Sequence, residues 1–356
     1  MTTTIPQPLP RVLRLPRYST ARAAVPSGAA YLASNESPFG PLPSVAAAIA
    51  EEAANIHRYP DMHASRLRGE LGDRWGVDPD QVVVGTGSVG ILQQIVAAYA
   101  GPGDTVVYPW RSFEAYPILV GAGGATGVGI PLTAAGEMDL PALAAAIDES
   151  TKIVVLCLPN NPTGAISVAA AVAAFVAAVP SRVMVVIDEA YAEFVPPSLR
   201  VDSAALVRVH RNVCVLRTFS KAYGLAGLRI GYAVTSPTVA DALRRVFLPF
   251  GVSAVAQSAA LTSLGAETEL AERVRFVIER RDAVSSRVDD LGWALPRSWA
   301  NFIWLDAAER AGALGAALRG EGVIARVFPS EGVRVTIGDD VANARFVSAL
   351  AGWDRR

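Results

Sequence analysis

Sulfur, imidazole and lysine are all scarce in this sequence: 356 residues contain two cysteines, three histidines and two lysines. Cys157 in KIVVLCLP and Cys214 in NVCVLRT each lie in an apolar run without CxxC spacing. This argues against a disulfide framework and for buried thiols of a reducing compartment. His57, His63 and His210 lack metal-ligand spacing, so no metal site is expected. An excess of one charge is missing too: the formal net charge is −1, with no block of like charge. Nothing therefore points to nucleic acid or an anionic membrane, and a small molecule is the expected partner. Long hydrophobic runs are also absent. The longest helix-like run, AISVAAAVAAFVAAV at 165 to 179, is too short at about 1.5 Å per residue for a hydrocarbon core of roughly 30 Å. MTTTIPQPLPRVLRLPRYS has charges and prolines but no apolar signal segment, so a soluble, cytoplasmic protein is expected.

The rarity of lysine makes one position stand out. The chain has 30 arginines, yet Lys221 sits among small and apolar residues in RTFSKAYGLAGLRIGY, 217 to 232. A desolvated lysine can lose its proton and attack a carbonyl to form a Schiff base, which arginine cannot do. The alternative is an ordinary surface lysine.

What is abundant is apolar pattern: 51% of residues are hydrophobic and 18% charged, enough for one large core, or one large and one smaller. QVVVG, DTVVYP, KIVVLCLP, VMVVIDEAY, NVCVLRT and IGYAVT read as strands apolar on both faces, alternating with helical stretches such as GILQQIVAAYA, MDLPALAAAIDES and SVAAAVAAFVAAV. This predicts an α/β fold with a mainly parallel sheet between helices. After about residue 246 the pattern becomes α+β: a long charged helix over AETELAERVRFVIERRDAVSSRVDDL, then strand-like NFIWLD and VRVTIG. The expected division is a large domain at 32 to 246 and a smaller unit from 247 to 356 joined by the Pro-rich arm 1 to 31.

GTGSVG at 85 to 90 matches GxGxxG between a strand and a helix. A dinucleotide site also needs an acidic residue at the end of the next strand, which here ends in Tyr108-Pro109-Trp110. The loop keeps the N–H groups and the positive dipole end suited to a phosphate. Three further pieces fall at strand ends: Asn161 in LPNNPTG, Asp188 and Tyr191 in VVIDEAYAEF, and Lys221 flanked by Thr218, Ser220 and Arg229. Open α/β sheets bind ligands there. Singly each has a plain reading: a turn, a helix cap, a common dipeptide.

In this order they resemble the fold-type I pyridoxal-phosphate aminotransferases, within them the histidinol-phosphate and aromatic amino acid group. The resemblance covers nearly the whole chain: LASNESPFGPLPSV, HRYPD, GTGS, WRSFEAYP, PNNPTG, DEAY, RTFSKAYGLAGLRIGY and GVRVTIG. It implies a seven-stranded type of large sheet and pyridoxal 5'-phosphate held on Lys221, which would also act as general base. Asp188 would pair with the pyridine nitrogen, Tyr191 and Asn161 would hydrogen-bond the ring oxygen, and Phe113 would stack on the ring. Gly87, Ser88, Thr218, Ser220 and Arg229 would hold the phosphate. Tyr59 would reach the cofactor of a neighbouring subunit, making the protein a homodimer with shared active sites. Arg334 would clamp the substrate α-carboxylate, and Asn35 would line the site.

The substrates implied are an amino acid and a 2-oxo acid. Tyr18, Trp110, Phe113 and Tyr116 would line an aromatic pocket, and GPLPSV, WRSFEAYP and PFGVSAVAQ look closest to the actinobacterial-type aromatic enzymes. The expected reaction is transamination of phenylalanine or tyrosine with 2-oxoglutarate. The alternative is histidinol phosphate, which needs cations for a second phosphate; Arg326 in IARVF could bind it or lie exposed at a strand end. A phosphothreonine-type decarboxylase shares scaffold and cofactor. A transcription regulator built on this fold would carry a helix-turn-helix in front, and none is seen before LASNES.

Overall fold

A computed structural model describes residues 6–18 and 27–353. Its eleven strands are β1 (Ala30–Leu32), β2 (Val82–Gly85), β3 (Thr105–Trp110), β4 (Thr126–Pro131), β5 (Thr151–Cys157), β6 (Met184–Asp188), β7 (Val213–Thr218), β8 (Gly231–Thr235), β9 (Phe302–Asp306), β10 (Val323–Phe328) and β11 (Gly332–Thr336). The large sheet has the order β2-β8-β7-β6-β5-β3-β4. Pairings along β7, β6, β5, β3 and β4 are parallel, while β8 is antiparallel to both neighbours.

The six expected strands form because their β-branched residues can be buried on both faces. In β5, Ile153, Val155 and Cys157 pack on one side with Ile91 and Ile95 of the helix Gly87–Tyr99. Val154 and Leu156 pack on the other side with Val172 and Val176 of the helix Ala169–Ala178. Each fully buried Val, Ile or Leu stabilises the fold by roughly 1.5–3 kcal/mol before conformational entropy is counted. The seventh strand that the resemblance implied is β4, which is not among the runs that read as strands. TGVGIP is glycine-rich and largely exposed, and its only apolar signal is the short alternation of Val128 and Ile130, which pack part-buried against the core.

A smaller sheet, β1-β10-β11-β9, is built from both ends of the described chain, β1 adding in parallel to β10. The helix Glu267–Asp290 covers it with Val277, Val284 and Val288. The helix Ala254–Leu264 follows residue 246 in sequence, yet its buried Ala256, Ala259, Ala260 and Leu264 pack with Val45 and Leu67 in the large-sheet core. Among the described residues no helix is long and apolar enough to cross a membrane.

Sheet direction sets the site. Because β3, β5, β6 and β7 run the same way, Trp110, Cys157, Asp188 and Thr218 end at one edge. The turn from β7 into antiparallel β8 lies at that edge and carries Lys221. Strand β1 delivers residues 33 to 36 to the same cleft from the small sheet.

Candidate active site

A cavity of about 570 Å³ lies between the two sheets and is lined by Lys221, Asp188, Tyr191, Asn161, Arg334 and Asn35, among others. Lys221 Nζ donates to the Ser34 carbonyl at 3.1 Å. Burial pushes its pKa down to about 7, helped by Arg334 and Arg229 and opposed by Glu36 and Asp188. An amine that titrates near neutrality is a nucleophile and a base under ordinary conditions.

Asp188 closes β6 and is buried. Its Oδ2 accepts the hydroxyl of Tyr116 at 2.9 Å, while Oδ1 is buried without a hydrogen-bond partner. Burial pushes this carboxyl up to about 6, and the Tyr116 hydrogen bond works against that rise. A buried acceptor held this way is complementary to a cationic N–H.

Asn35 joins the two sheets. Its Nδ2 donates to Tyr191 Oη at 2.9 Å, its Oδ1 accepts from Thr336 Oγ1 at 3.0 Å, and its carbonyl accepts from Asn301 Nδ2 at 3.1 Å. The residue holds φ +53°, a left-handed conformation that asparagine tolerates better than most residues. Since Tyr191 Oη accepts from Asn35, its own proton remains to donate. Burial raises the Tyr191 pKa, which keeps that proton in place. Arg334 Nη1 donates to Asn161 Oδ1 at 2.5 Å and Nη2 to the Ala33 carbonyl at 2.6 Å, while Nε is buried and unpartnered. This guanidinium is therefore fixed by neutral acceptors.

Opposite lies an anion cradle. Gly87 opens the helix Gly87–Tyr99 with φ +75°, and a Cβ there would stand 2.8 Å from Arg229 Nη2. Ser88, Thr218, Ser220 and Arg229 line the cavity, so a helix N-terminus, three hydroxyls and a guanidinium converge. Arg229 Nη1 donates to Ser220 Oγ at 3.3 Å, and Thr218 Oγ1 accepts the Ser220 N–H at 3.1 Å.

Several placements refine the expectations. Phe113 and Tyr18 do line the cavity, edge to face with ring centroids 6.4 Å apart. Tyr116 does not: it is 1% exposed and turned beneath Asp188. Nor does Trp110, whose ring packs under the Arg111 guanidinium at 4.2 Å. Arg326 is not exposed at its strand end; it lines the cavity and pairs with Glu114, which sequence reasoning missed. An arginine amid the apolar residues of IARVF was the available signal, because a buried cation requires a carboxylate. Tyr59 lies outside its own chain's cavity, 81% exposed and stacked on Phe250 with centroids 4.5 Å apart.

A family model described as aminotransferase class I and II matches residues 30–350. An aromatic amino acid aminotransferase of Streptomyces avermitilis is 48% identical over 335 residues, covering 94% of this chain and 93% of that protein. One from Cutibacterium acnes is 45% identical, covering 95% and 96%. Among solved structures, a histidinol-phosphate aminotransferase from Sinorhizobium meliloti in complex with pyridoxal-5'-phosphate superposes with a TM-score of 0.90 at 29% identity, covering 99% of this chain and 98% of that one. An aspartate aminotransferase mutant of Thermus thermophilus shares the fold, with a TM-score of 0.84 at 22% identity and 98% and 99% coverage.

Proposed function

The chain belongs to the class I and II aminotransferases, and from that premise we propose that it transfers the amino group of phenylalanine or tyrosine to 2-oxoglutarate with pyridoxal 5'-phosphate as resident cofactor. The residues present suit that cofactor. Asp188 Oδ1 is a buried acceptor lacking a donor, and the Gly87 and Arg229 cradle leaves no room for a Cβ. When bound, the cofactor supplies an aldehyde for an amine to attack and a ring that accepts electron density from the substrate Cα.

The protein's own groups then have separate tasks. Lys221 Nζ anchors the cofactor and accepts the proton lost from the substrate Cα, a role that suits an amine lowered to about 7. Asp188 stabilises a positive charge on the pyridine nitrogen through Oδ1. Tyr191 and the Asn161 amide donate to the ring oxygen. Ser88, Ser220, Arg229 and the Gly87 backbone hold the phosphate, oriented by Thr218. Arg334 binds the α-carboxylate with a planar fork. Phe113 lines the cavity and would face the ring.

The single observation that carries the aromatic reading is the pairing of Arg326 with Glu114. With Glu114 in place the pair is neutral and leaves a ring no unpaired charge to meet, whereas a phosphate ester would bind there only by displacing the carboxylate. Tyr18, Phe113, Ile118, Leu119 and Phe328 supply apolar surface nearby. The relatives at 45–48% identity, named aromatic amino acid aminotransferases, support the same reading. Side-by-side rates with phenylalanine, tyrosine and histidinol phosphate, each with 2-oxoglutarate, test it. A much larger kcat/KM for histidinol phosphate would overturn the substrate and leave the aminotransferase chemistry standing.

The working unit in this reading is a homodimer. Tyr59, stacked on Phe250, is exposed, as are Ile56 and Leu248, and a second copy covering Tyr59 would receive it at its own phosphate.

A further inference from the structure

Arg326 on β10 and Arg334 on β11 stand directly opposite one another in the antiparallel register. Both line the cavity, and both are largely buried. Like charges placed so oppose strand pairing, and each buried guanidinium needs an anion. Two such cations side by side suit a ligand with two carboxylates.

The chain itself supplies one carboxylate. Glu114, at the start of the helix Ala115–Gly123, accepts from Arg326 Nε at 3.1 Å and Nη2 at 2.6 Å through the same oxygen. Arg334 has only neutral acceptors. Solvent access is unequal: the Glu114 side chain is 28% exposed and that of Arg326 12%. Of the pair, Glu114 is the side chain nearer water.

The proposed reaction, on which this inference rests, places two unlike molecules in one cavity. Phenylalanine brings one carboxylate and a neutral ring, whereas 2-oxoglutarate brings two carboxylates. We propose that Glu114 is a built-in stand-in for the distal carboxylate of the oxo acid. It neutralises Arg326 while a ring occupies the pocket and yields Arg326 when the dicarboxylate arrives. Glu114 is thus a specificity-determining residue that acts through Arg326.

The test uses folded, cofactor-loaded wild type, Glu114→Gln and Arg326→Gln. Glutarate and butyrate, which differ by the distal carboxylate, are titrated calorimetrically, and 2-oxoglutarate and pyruvate are compared as acceptors. Removing the competing carboxylate should tighten glutarate binding and raise the preference for 2-oxoglutarate over pyruvate by roughly tenfold, the scale of one charge-assisted hydrogen bond. Butyrate binding should stay unchanged, kcat/KM for phenylalanine should fall, and Arg326→Gln should abolish the acceptor preference. An unchanged glutarate-to-butyrate ratio in Glu114→Gln overturns the proposal. Failure of the wild type with phenylalanine instead counts against the substrate reading, because the dicarboxylate comparison is independent of the donor.

Discussion

Lys221 shows how burial turns a common residue into a reagent. A solvated lysine titrates near 10.4 and is almost wholly protonated at neutral pH, whereas Lys221 is lowered to about 7 by burial and by Arg334. Because the neutral amine is the nucleophile, covalent capture of pyridoxal 5'-phosphate by cofactor-free protein should accelerate up to about pH 7 and then level off. Stopped-flow absorbance across pH checks this; a rate still climbing at pH 9 would contradict it. Lys221→Arg keeps the charge and removes the reactive amine, so the Schiff-base absorbance should vanish and transamination fall by several orders of magnitude. Tyr116→Phe removes the hydroxyl that favours ionised Asp188, a hydrogen bond to charge of about 1.5–3 kcal/mol. The Asp188 pKa, already up to about 6, should rise further. Cofactor affinity at neutral pH should drop by roughly two- to fifteenfold and recover partly as pH rises, read by fluorescence titration. The sequence made Lys221, Asp188 and Tyr191 legible through rarity and position at strand ends. It could not reveal Tyr116 beneath Asp188, because that contact joins residues 72 apart on different elements.

Among the elements, the turn between β7 and β8 and the start of the helix Gly87–Tyr99 form the cradle together. Gly231 is where they meet: a Cβ there would lie 2.6 Å from Ser88 N and 2.7 Å from the Arg217 carbonyl, both backbone atoms. Gly231→Ala should therefore destabilise the protein by about 1–3 kcal/mol. It should also weaken phosphate retention, seen as a lower thermal midpoint and a larger dissociation constant for inorganic phosphate on the cofactor-free protein. A midpoint unchanged from wild type would show that the two elements separate freely. Strands buried on both faces were legible because their composition alone demands a covered sheet. The edge strand β4 was less so, since only Val128 and Ile130 pack on the core and backbone pairing with β3 does much of the holding.

At the scale of the molecule, two units approach across the cavity and are bridged by charge. Arg111 at the end of β3 pairs with Glu331 between β10 and β11, and Glu114 pairs with Arg326. The exposed Tyr59 surface bears on the proposed second copy. Tyr59→Ala should shift sedimentation toward monomer and loosen cofactor retention by about tenfold, the loss of one stabilising contact to an anion, while circular dichroism stays native. An unchanged oligomer that keeps its cofactor would remove Tyr59 from the site. By itself the sequence determined the alternation of buried strands and helices, the rare lysine, and the ordered motifs that place this chain among the aminotransferases. These are local properties, fixed by side-chain type and spacing. Only the tertiary structure decided that Glu114 holds Arg326, that Arg326 and Arg334 face each other in register, and that Asn35 joins the two sheets. Such contacts depend on how distant segments close around one cavity, and residue spacing carries no record of the partner that each buried charge will meet.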